Sequence, residues 1–332
     1  MFRRKTSAPL PVKFGVGTAS AGFSTHGSSD AKTLETTTIE GIYMARFIHI
    51  TDLHFWSIVR NPLRLMNKRF LGNLNLALRR HRHLHIHRAQ SFLDTLSAMD
   101  VDAVFVGGDL TSTATDEEFQ QAAQFLDQVA SRCPALYVVP GNHDCYTFEA
   151  QRKGRFQGYC GKYAPLTDTP LLSELTATCA LLQIPTVRPN LISSRGYIGQ
   201  QTMKATAELL ESVTAEQMIV LAHYPVLNRT LNYQSDYGRR LGGGAALRRL
   251  LGESGRALHY LAGHVHVFSH SSDPLYPSLT HITTSALFYE SAKRSAGFTE
   301  LVVDEGGIRV YPWHYADDWH RGAESLPEAG TS

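Results

Sequence analysis

Short apolar runs alternate with amphipathic stretches over most of the chain. Residues 45–51 (ARFIHIT) and 103–108 (AVFVGG) are typical of strands, and the apolar spacing of residues 87–99 predicts a helix between them. Thr115 and Glu118 form the pattern of a capping box, and a helix with one apolar face follows them. Further strands are predicted at 135–140, 178–184, 217–223, 257–264, 279–286, 298–304 and 308–314, with helices at 200–212 and 243–253. This order predicts one layered α/β domain over residues 44–316, with its sheets covered by helices.

The two ends of the chain differ from this pattern. Residues 1–43 are rich in Ser, Thr, Gly and Ala and have no sustained periodicity, so we expect a disordered extension or a targeting segment. They lack the apolar region of a secretory signal, whereas their composition leaves an organellar transit peptide open. Because Met44 directly precedes the first strand and looks like a natural start, we favour a plain extension. Residues 317–332 are predicted to be a flexible C-terminal tail.

Composition and cysteine usage set limits on the class of protein. The formal net charge is +2, and the apolar and charged fractions are those of an ordinary soluble protein. The chain contains no apolar run of about 18 residues, which a membrane-spanning helix would need. The four cysteines are Cys133, Cys145, Cys160 and Cys179. They are widely spaced without a C-x-x-C pair, so their pattern indicates neither a thiolate zinc site nor a disulfide framework. We therefore expect a reducing compartment and a cytoplasmic location, or an organellar one if residues 1–43 are a transit peptide.

Polar side chains that bind metals or move protons follow the ends of the predicted strands. They are Asp52 and His54, then Asp109, then Asn142, His143 and Asp144, then His223, and finally His264 and His266. Taken singly, each also fits a turn or a buried structural residue. Because the carboxyl ends of strands in an open α/β sheet line the ligand crevice, we expect all of them to converge on one site. His49 and His259 lie within predicted strands, and we interpret them as structural.

The motifs carried by these residues resemble those of one family. D-x-H, G-D, G-N-H-D, a lone His before a Pro-containing turn, and G-H-x-H follow one another in the order found in the calcineurin-like metallophosphoesterase superfamily, over residues 45–314. The resemblance implies a four-layer αββα sandwich in which two mixed β-sheets are flanked by helices. It also implies two metal ions, one held by Asp52, His54, Asp109 and His266 and the other by Asp109, Asn142, His223 and His264. His143 would contact the phosphate and protonate the leaving oxygen, and Asp144 would orient its imidazole.

The chemistry of this ligand set agrees with the resemblance. Nitrogen and oxygen ligands without thiolate suit Mn, Fe, Zn, Co or Ni, among which we favour Mn. Two such ions polarise a phosphoryl group and activate a bridging hydroxide. The chain lacks the Asp-Arg-Gly that follows the G-D motif in protein Ser/Thr phosphatases. It is more similar to small-molecule phosphodiesterases, which implies a phosphodiesterase or pyrophosphatase acting on a cyclic nucleotide or a nucleotide-diphospho lipid such as UDP-2,3-diacylglucosamine.

Two other classes of function remain as alternatives. A DNA or RNA nuclease of the same superfamily would share these motifs, although the near-neutral charge and the lack of a recognition motif argue against a nucleic-acid partner. A non-catalytic scaffold with this fold is the second alternative, and the complete ligand set argues against it. The sequence leaves the oligomeric state open.

An insertion at residues 60–88 follows the first strand. It contains eight Arg or Lys residues and no acid, and its apolar residues recur at helical spacing, which predicts a basic amphipathic helix beside the active edge. One interpretation is a lid or a membrane-surface element that admits an anionic amphiphile. The other is a surface helix that packs one face on the domain. The alternating histidines of residues 81–87 are interpreted as a solvated linker.

Overall fold

The computed structural model describes residues 44–57, 80–145, 147–164, 169–188 and 194–330. The predicted N-terminal extension and residues 60–79 of the basic insertion lie outside this part of the chain. Residues 80–88, the last part of the insertion, contain two short 3-10 helices, Arg80–His83 and Ile86–Arg88. Among the described residues, no helix has the length and apolar composition needed to cross a membrane.

Two mixed sheets of six strands each form the centre of the described fold. The first has the order β14 (Asp318–Arg321), β13 (Gly307–Ala316), β12 (Gly297–Asp304), β1 (Ala45–Ile50), β2 (Ala103–Val106) and β3 (Ala135–Val138). The second has the order β10 (Ser269–Ser272), β11 (Leu279–Thr283), β9 (Ala257–Ala262), β7 (Gln217–Leu221), β5 (Cys179–Gln183) and β4 (Leu171–Glu174). β1, β2 and β3 are parallel in the first sheet, and β5, β7, β9 and β11 are parallel in the second. A small parallel pair, β6 (Gly196–Tyr197) and β8 (Leu241–Gly242), stands apart from both.

Helices cover the outer faces of the sheets. They are α1 (Ala89–Ala98), α2 (Asp116–Ala130), α3 (Phe148–Arg152), α4 (Arg155–Cys160), α5 (Gln200–Ser212) and α6 (Gly244–Glu253), with a further 3-10 turn at Tyr237–Arg239. Alternation along β1 separates the layers, since Ile48 and Ile50 pack with α1 and α2 whereas Phe47 packs between the sheets. Residues of β7 alternate in the same way, with Val220 facing the α5 and α6 side. The four-layer αββα sandwich predicted from the sequence is confirmed.

The capping box predicted at α2 is present and extends beyond the helix. The Thr115 hydroxyl accepts from the Glu118 backbone N–H at 3.2 Å, and the Glu118 carboxylate accepts from the Thr115 backbone N–H at 3.3 Å. The same carboxylate accepts hydrogen bonds from Thr113 and from the Ser57 backbone N–H. Glu118 therefore joins the chain that follows β1 to the start of α2.

The C-terminal residues differ from the expected flexible tail. β14 pairs with β13 from Trp313↔Arg321 to Ala316↔Asp318, and the Trp319 side chain is buried against Phe92 and Phe298. Beyond β14, Glu328 pairs its backbone with that of β10. One buried indole and a few backbone hydrogen bonds order this segment, and neither leaves a periodic pattern in so short a sequence.

Asp273 connects three elements, and its loss is expected to destabilise the fold. Its buried carboxylate accepts from Arg248 at 2.7 Å and from His281 at 2.7 Å, and also from two backbone N–H groups of its own turn. Burial opposes ionisation, but these hydrogen bonds hold the pKa of Asp273 below its ordinary value. We expect Asp273→Asn to lower the free energy of unfolding by roughly 3 kcal/mol near neutral pH, because a charged partner of Arg248 is lost.

Urea unfolding at a series of pH values measures this effect. Since the pKa of Asp273 is lower in the folded state, its contribution is complete above the unfolded value of about 4 and is lost as the pH falls through the folded value. The difference in the free energy of unfolding between wild type and Asp273→Asn should therefore become smaller as the pH falls below about 4. Asp127→Asn, at an exposed carboxylate, is the matched control. Equal unfolding midpoints for Asp273→Asn and wild type near neutral pH would contradict the assignment.

Candidate metal centre

The loops that follow β1 and β2 run side by side at the carboxyl edge of the first sheet. The Asp52 backbone N–H donates to Gly108 at 2.9 Å, and that of His54 donates to Asp109 at 3.0 Å. These bonds continue the parallel pairing of the two strands into their loops. The polar side chains after the strands are thus carried on paired backbone, which fixes their direction.

Left-handed backbone conformation is concentrated at this edge of the fold. Within the described part of the chain, seven residues other than glycine have a positive φ angle. Five of them are candidate ligands: Asp52, His54, Asp109, His264 and His266. Left-handed backbone is unfavourable for residues with a side chain, although Asp and His adopt it more readily than most, and it concentrates at functional sites.

Two glycines allow the loops to approach one another. A side chain at Gly141 would place its Cβ 2.1 Å from the Asp109 backbone nitrogen. One at Gly263 would lie 2.0 Å from the Thr51 hydroxyl and 2.5 Å from an Asp52 carboxylate oxygen. Only glycine leaves room for Asp109 and Asp52 at these positions.

Asp52, His54 and His266 form the first group of candidate ligand atoms. Asp52 Oδ2 accepts from the Thr51 hydroxyl and from the His264 backbone N–H, both at 2.9 Å. Asp52 Oδ1 is buried without a hydrogen-bond donor assigned to it, and it lies 3.0 Å from His266 Nε2 and 3.8 Å from His54 Nε2. The two imidazole nitrogens lie 3.1 Å apart. Three ligand atoms therefore face one point.

Asp109, Asn142, His223 and His264 form the second group. His223 Nε2 lies 3.5 Å from Asp109 Oδ1 and 3.2 Å from Asn142 Oδ1. His223 Nδ1 donates to the Gly107 carbonyl oxygen at 2.7 Å, so Nε2 is the ring nitrogen that faces the group. Asp109, His223 and His264 have ligand atoms within 4.8 Å of one another.

His264 presents its other ring nitrogen to this group. Its Nε2 donates to the Arg239 carbonyl oxygen at 3.0 Å, which leaves Nδ1 as the candidate ligand atom. The 3-10 turn Tyr237–Arg239 supplies this carbonyl group and thereby fixes the ring. Metal-binding histidines commonly donate their second ring nitrogen to a backbone carbonyl in this way.

The donor atoms of both groups fit divalent metal ions. Ligand atoms about 2.1 Å from one ion lie about 3.0–3.4 Å apart in octahedral or tetrahedral geometry. Three distances fall in this range: 3.0 Å from His266 to Asp52, 3.1 Å from His266 to His54, and 3.2 Å from His223 to Asn142. The distances from His54 to Asp52, 3.8 Å, and from His223 to Asp109, 3.5 Å, are longer. The open Oδ1 of Asp52 is a buried anionic atom for which a cation is a suitable partner.

His143 lies beside both groups. Its ring packs edge-on against His54 with centroids 5.0 Å apart, and its backbone N–H donates to Asp109 Oδ1 at 2.7 Å. Its Nδ1 lies 2.6 Å from the Ser112 carbonyl oxygen and donates to it, so the neutral ring has its lone pair on Nε2. His54, Asp109 and His143 also have ligand atoms within 4.8 Å of one another.

Asp144 has a different set of contacts from the one expected. Its carboxylate accepts from the backbone N–H groups of Leu110, Thr111 and Gly141 at 2.9–3.2 Å, and from the Thr111 hydroxyl at 3.0 Å. The orienting contact at His143 Nδ1 that the sequence suggested for Asp144 is made instead by a main-chain oxygen. Asp144 ties the loop after β3 to the loop after β2, and its carboxylate is positioned by three amide donors.

Comparison with known proteins identifies the family. The family model described as calcineurin-like phosphoesterase matches residues 45–268, which is more than half of the chain. The chain belongs to the calcineurin-like phosphoesterase family. Its class of activity is therefore the hydrolysis of phosphoric esters. No curated protein sequence gives a match to this phosphoesterase.

Solved structures agree with this assignment at the level of the fold. A dimetal phosphatase from Danio rerio is 15% identical with a TM-score of 0.54, and the match covers 85% of the phosphoesterase and 99% of that chain. The purple acid phosphatase PPD1 from yellow lupin is 16% identical with a TM-score of 0.50, over 85% of this chain and 54% of that one. At these identities the likeness concerns the sandwich itself.

Electrostatics keep both central carboxylates of the phosphoesterase ionised. Burial opposes ionisation of Asp52, but the charge of the neighbouring His266 holds the pKa of that carboxyl below its usual range. Burial likewise opposes ionisation of Asp109, and the charge of His223 holds its pKa well below the usual value. Both groups are thus anionic near neutral pH, as ligands of a cation must be.

The neighbouring groups are shifted in opposite directions. Burial lowers the pKa of His264 to about 3, and the adjacent His223 adds to that effect. For His223, burial is outweighed by Asp109, which raises the pKa to about 9. Burial and the charge of Asp109 raise the pKa of Asp144 to about 7. The proton that Asp109 retains on His223 is one that a bound cation would displace.

Tyr224 is a residue of the site that the sequence did not indicate. Its buried hydroxyl lies 3.0 Å from Asn142 Oδ1 and also contacts the Ser194 carbonyl oxygen. This hydrogen bond therefore helps to fix the orientation of the Asn142 side-chain amide. The adjacency of Tyr224 to His223 in the sequence was the only signal, and a tyrosine after a strand is ordinarily a packing residue.

Proposed function

We propose that this phosphoesterase hydrolyses a phosphodiester or diphosphate bond of a small anionic substrate. Two divalent ions, held by Asp52, His54, Asp109, Asn142, His223, His264 and His266, would polarise the phosphoryl group and lower the pKa of a bridging water. The observation that carries the proposal is that the ionised Asp109 carboxylate lies close to ligand atoms of His54 from the first group and of His223 and His264 from the second. Two carboxylate oxygens allow Asp109 to serve both groups.

The role proposed for His143 is that of a general acid. Hydrogen bonding of Nδ1 to the Ser112 carbonyl oxygen fixes the ring, so that Nε2 is the atom that gains and gives a proton. A proton held at Nε2 would pass to the leaving oxygen as the phosphorus–oxygen bond breaks. Asp144 supports this role indirectly, because it holds the loop on which His143 lies.

The finer assignments follow from the ligand set and the sequence. Nitrogen and oxygen ligands without thiolate suit Mn, Fe, Zn, Co and Ni alike, and we propose Mn among them. Residues 110–112 read Leu-Thr-Ser rather than the continuation typical of protein phosphatases, which supports a cyclic nucleotide or a nucleotide-diphospho lipid as the substrate class. We propose a cytoplasmic location, because the spacing of the cysteines fits a reducing compartment. Contact with a lipid surface through residues 60–88 remains a sequence-based hypothesis.

Hydrolysis of bis(p-nitrophenyl) phosphate and of p-nitrophenyl phosphate tests the proposed function. The protein is first stripped with a chelator, and Mn²⁺ is then added back. We expect turnover only with metal and a higher kcat/KM for the diester, because an activated water attacks phosphorus in both substrates and the site is proposed to accept a diester. Parallel assays with cyclic nucleotides and with single-stranded DNA extend the test.

The outcomes separate the alternatives. Preference for the monoester would contradict the diesterase assignment, and faster hydrolysis of DNA than of the small diesters would favour the nuclease. Failure to bind metal after dialysis against Mn²⁺ would leave the scaffold as the better description.

A further inference from the structure

A cavity of about 270 Å³ shares a wall with the candidate metal centre. His266, one of the candidate ligands, lines it. The other lining residues come from the chain after β9, the chain after β11, the segment before β12, and the end of β13. The antiparallel pairing of β1 with β12 brings the start of β12 to the same edge as the end of β1. The cavity therefore opens on the catalytic edge.

The polar lining of the cavity is basic. Lys293 and Arg294 line it, together with the hydroxyl-bearing Ser285 and Ser295 and the imidazole of His314. None of the described residues that line the cavity is acidic. Within the described part of the chain, the side chains of Lys293 and Arg294 form no ion pair, in contrast to Arg248 with Asp273. Two cations without a counter-charge attract an anion.

Lys293 and Arg294 lie in a tight turn whose backbone is fixed by hydrogen bonds. Ser291 and Arg294 form two backbone hydrogen bonds, at 2.8 Å and 3.1 Å, which close a hairpin with Lys293 near its tip. The base of this segment is fixed as well. Gly297 donates to the Ala286 carbonyl oxygen at 3.2 Å, and the Ala296 carbonyl oxygen accepts from the chain at the end of β13 at 3.1 Å. The basic turn is thus presented by anchored backbone.

The size of the cavity indicates what it holds. Sites for whole ligands have volumes of about 300–1,000 Å³. At about 270 Å³, this cavity suits one part of a substrate whose remainder lies elsewhere. Phe268, Pro312 and Trp313 add apolar wall beside the cations. An anionic group with a short organic stem fits such a lining.

We infer that the cavity lined by Lys293 and Arg294 is a subsite for a second anionic group of the substrate, a phosphate or a carboxylate. This inference rests on the proposed function, since it takes the scissile phosphate to lie at the metal centre on the other side of His266. The substrate class is then narrowed to phosphodiesters or diphosphates with a further negative charge separated from the scissile phosphate. Simple diesters are poorer substrates because they leave the subsite empty.

Bisphosphonates of increasing length test the subsite. Ethane- to hexane-bisphosphonates are compared with alkyl monophosphonates of the same length as competitive inhibitors of bis(p-nitrophenyl) phosphate hydrolysis by the Mn²⁺-loaded protein. At the length that spans the two sites, we expect the second phosphonate to lower Ki by about tenfold or more, because charge-assisted hydrogen bonds are strong. The double variant K293A/R294A should lose this advantage, so that its Ki values for the bisphosphonate and the monophosphonate of that length agree within about twofold.

Three further variants make the result specific. K204A/R249A removes the same charge at exposed residues on α5 and α6 and should keep the full advantage of the bisphosphonate. K293R/R294K preserves both charges and should keep most of it. Thermal unfolding shows whether K293A/R294A remains folded, and K293E/R294E, expected to reverse the preference, serves as a second variant.

Failure of the subsite and failure of the proposed function give different results. Bisphosphonates that inhibit no better than monophosphonates at every length would overturn the subsite while leaving hydrolysis intact. An advantage that persists in K293A/R294A would do the same. If the protein has no hydrolytic activity, calorimetric titration of the metal-loaded protein with the same compounds replaces inhibition. The same advantage must then appear as a lower Kd in wild type alone, or the inference is wrong.

Discussion

Replacing Asp109 with asparagine is expected to reduce hydrolysis of bis(p-nitrophenyl) phosphate by at least about 10³-fold, to the rate of the metal-free protein. Asp109 is the ionised group between the two sets of candidate ligands, so one substitution affects both metal sites. Asparagine keeps an oxygen that can accept from the His143 backbone N–H, and the loop should therefore retain its shape. Metal analysis after dialysis, together with the kinetic assay, measures the effect.

Asp127→Asn is the control for the loss of a carboxylate. Asp127 lies on α2, where it is exposed and contacts Lys162 and Tyr163. Its replacement should leave metal content and turnover unchanged. Retention of both metal ions and of substantial turnover in Asp109→Asn would contradict the proposal that Asp109 binds both ions.

The second large effect is expected at His143. We expect His143→Gln to lower kcat by about 10²–10⁴-fold, the usual contribution of a general acid, while both metal ions remain bound. The expected signature is a dependence on the leaving group. The phenyl ester of thymidine 5′-phosphate should be affected more than the p-nitrophenyl ester, because p-nitrophenolate leaves readily without protonation.

His320→Gln is the matched control, since His320 is an exposed imidazole on β14. It should change neither ester. An equal loss with both esters for His143→Gln would point to a positioning role rather than proton transfer. A loss of metal in that variant would instead make His143 a ligand, consistent with its closeness to His54 and Asp109.

Much of the fold was predictable from the sequence because its signals are local. The helix predicted at residues 200–212 coincides with α5, since three buried residues recur along one of its faces. Strands such as β9 are nearly continuous apolar runs. The unpredicted strands of the two large sheets, β4, β10 and β14, have only 4 residues each and no sustained apolar run, and their order depends on pairing with other strands. A single sequence does not carry that information.

The candidate site was predictable to a similar extent. Strand ends bring side chains together by topology, so the grouping of Asp52 with His266 followed from the order of the elements. The contacts of Asp144 could not be predicted in this way. An aspartate that accepts hydrogen bonds from backbone amides has the same sequence pattern as one that orients an imidazole. Lys293 and Arg294 gave no signal, since two basic residues in a turn are ordinarily solvated. Their significance depends on a cavity that only the folded chain forms.

The left-handed backbone at five candidate ligands has a cost in the stability of the fold. Each such conformation costs a residue with a side chain on the order of 1 kcal/mol. For five residues, the sum is roughly 5 kcal/mol, a large share of the net stability of a typical domain. Replacement of any of them by glycine would relieve its part of that cost. These five residues are therefore kept at a cost in backbone strain, which is expected where the side chains themselves carry the function.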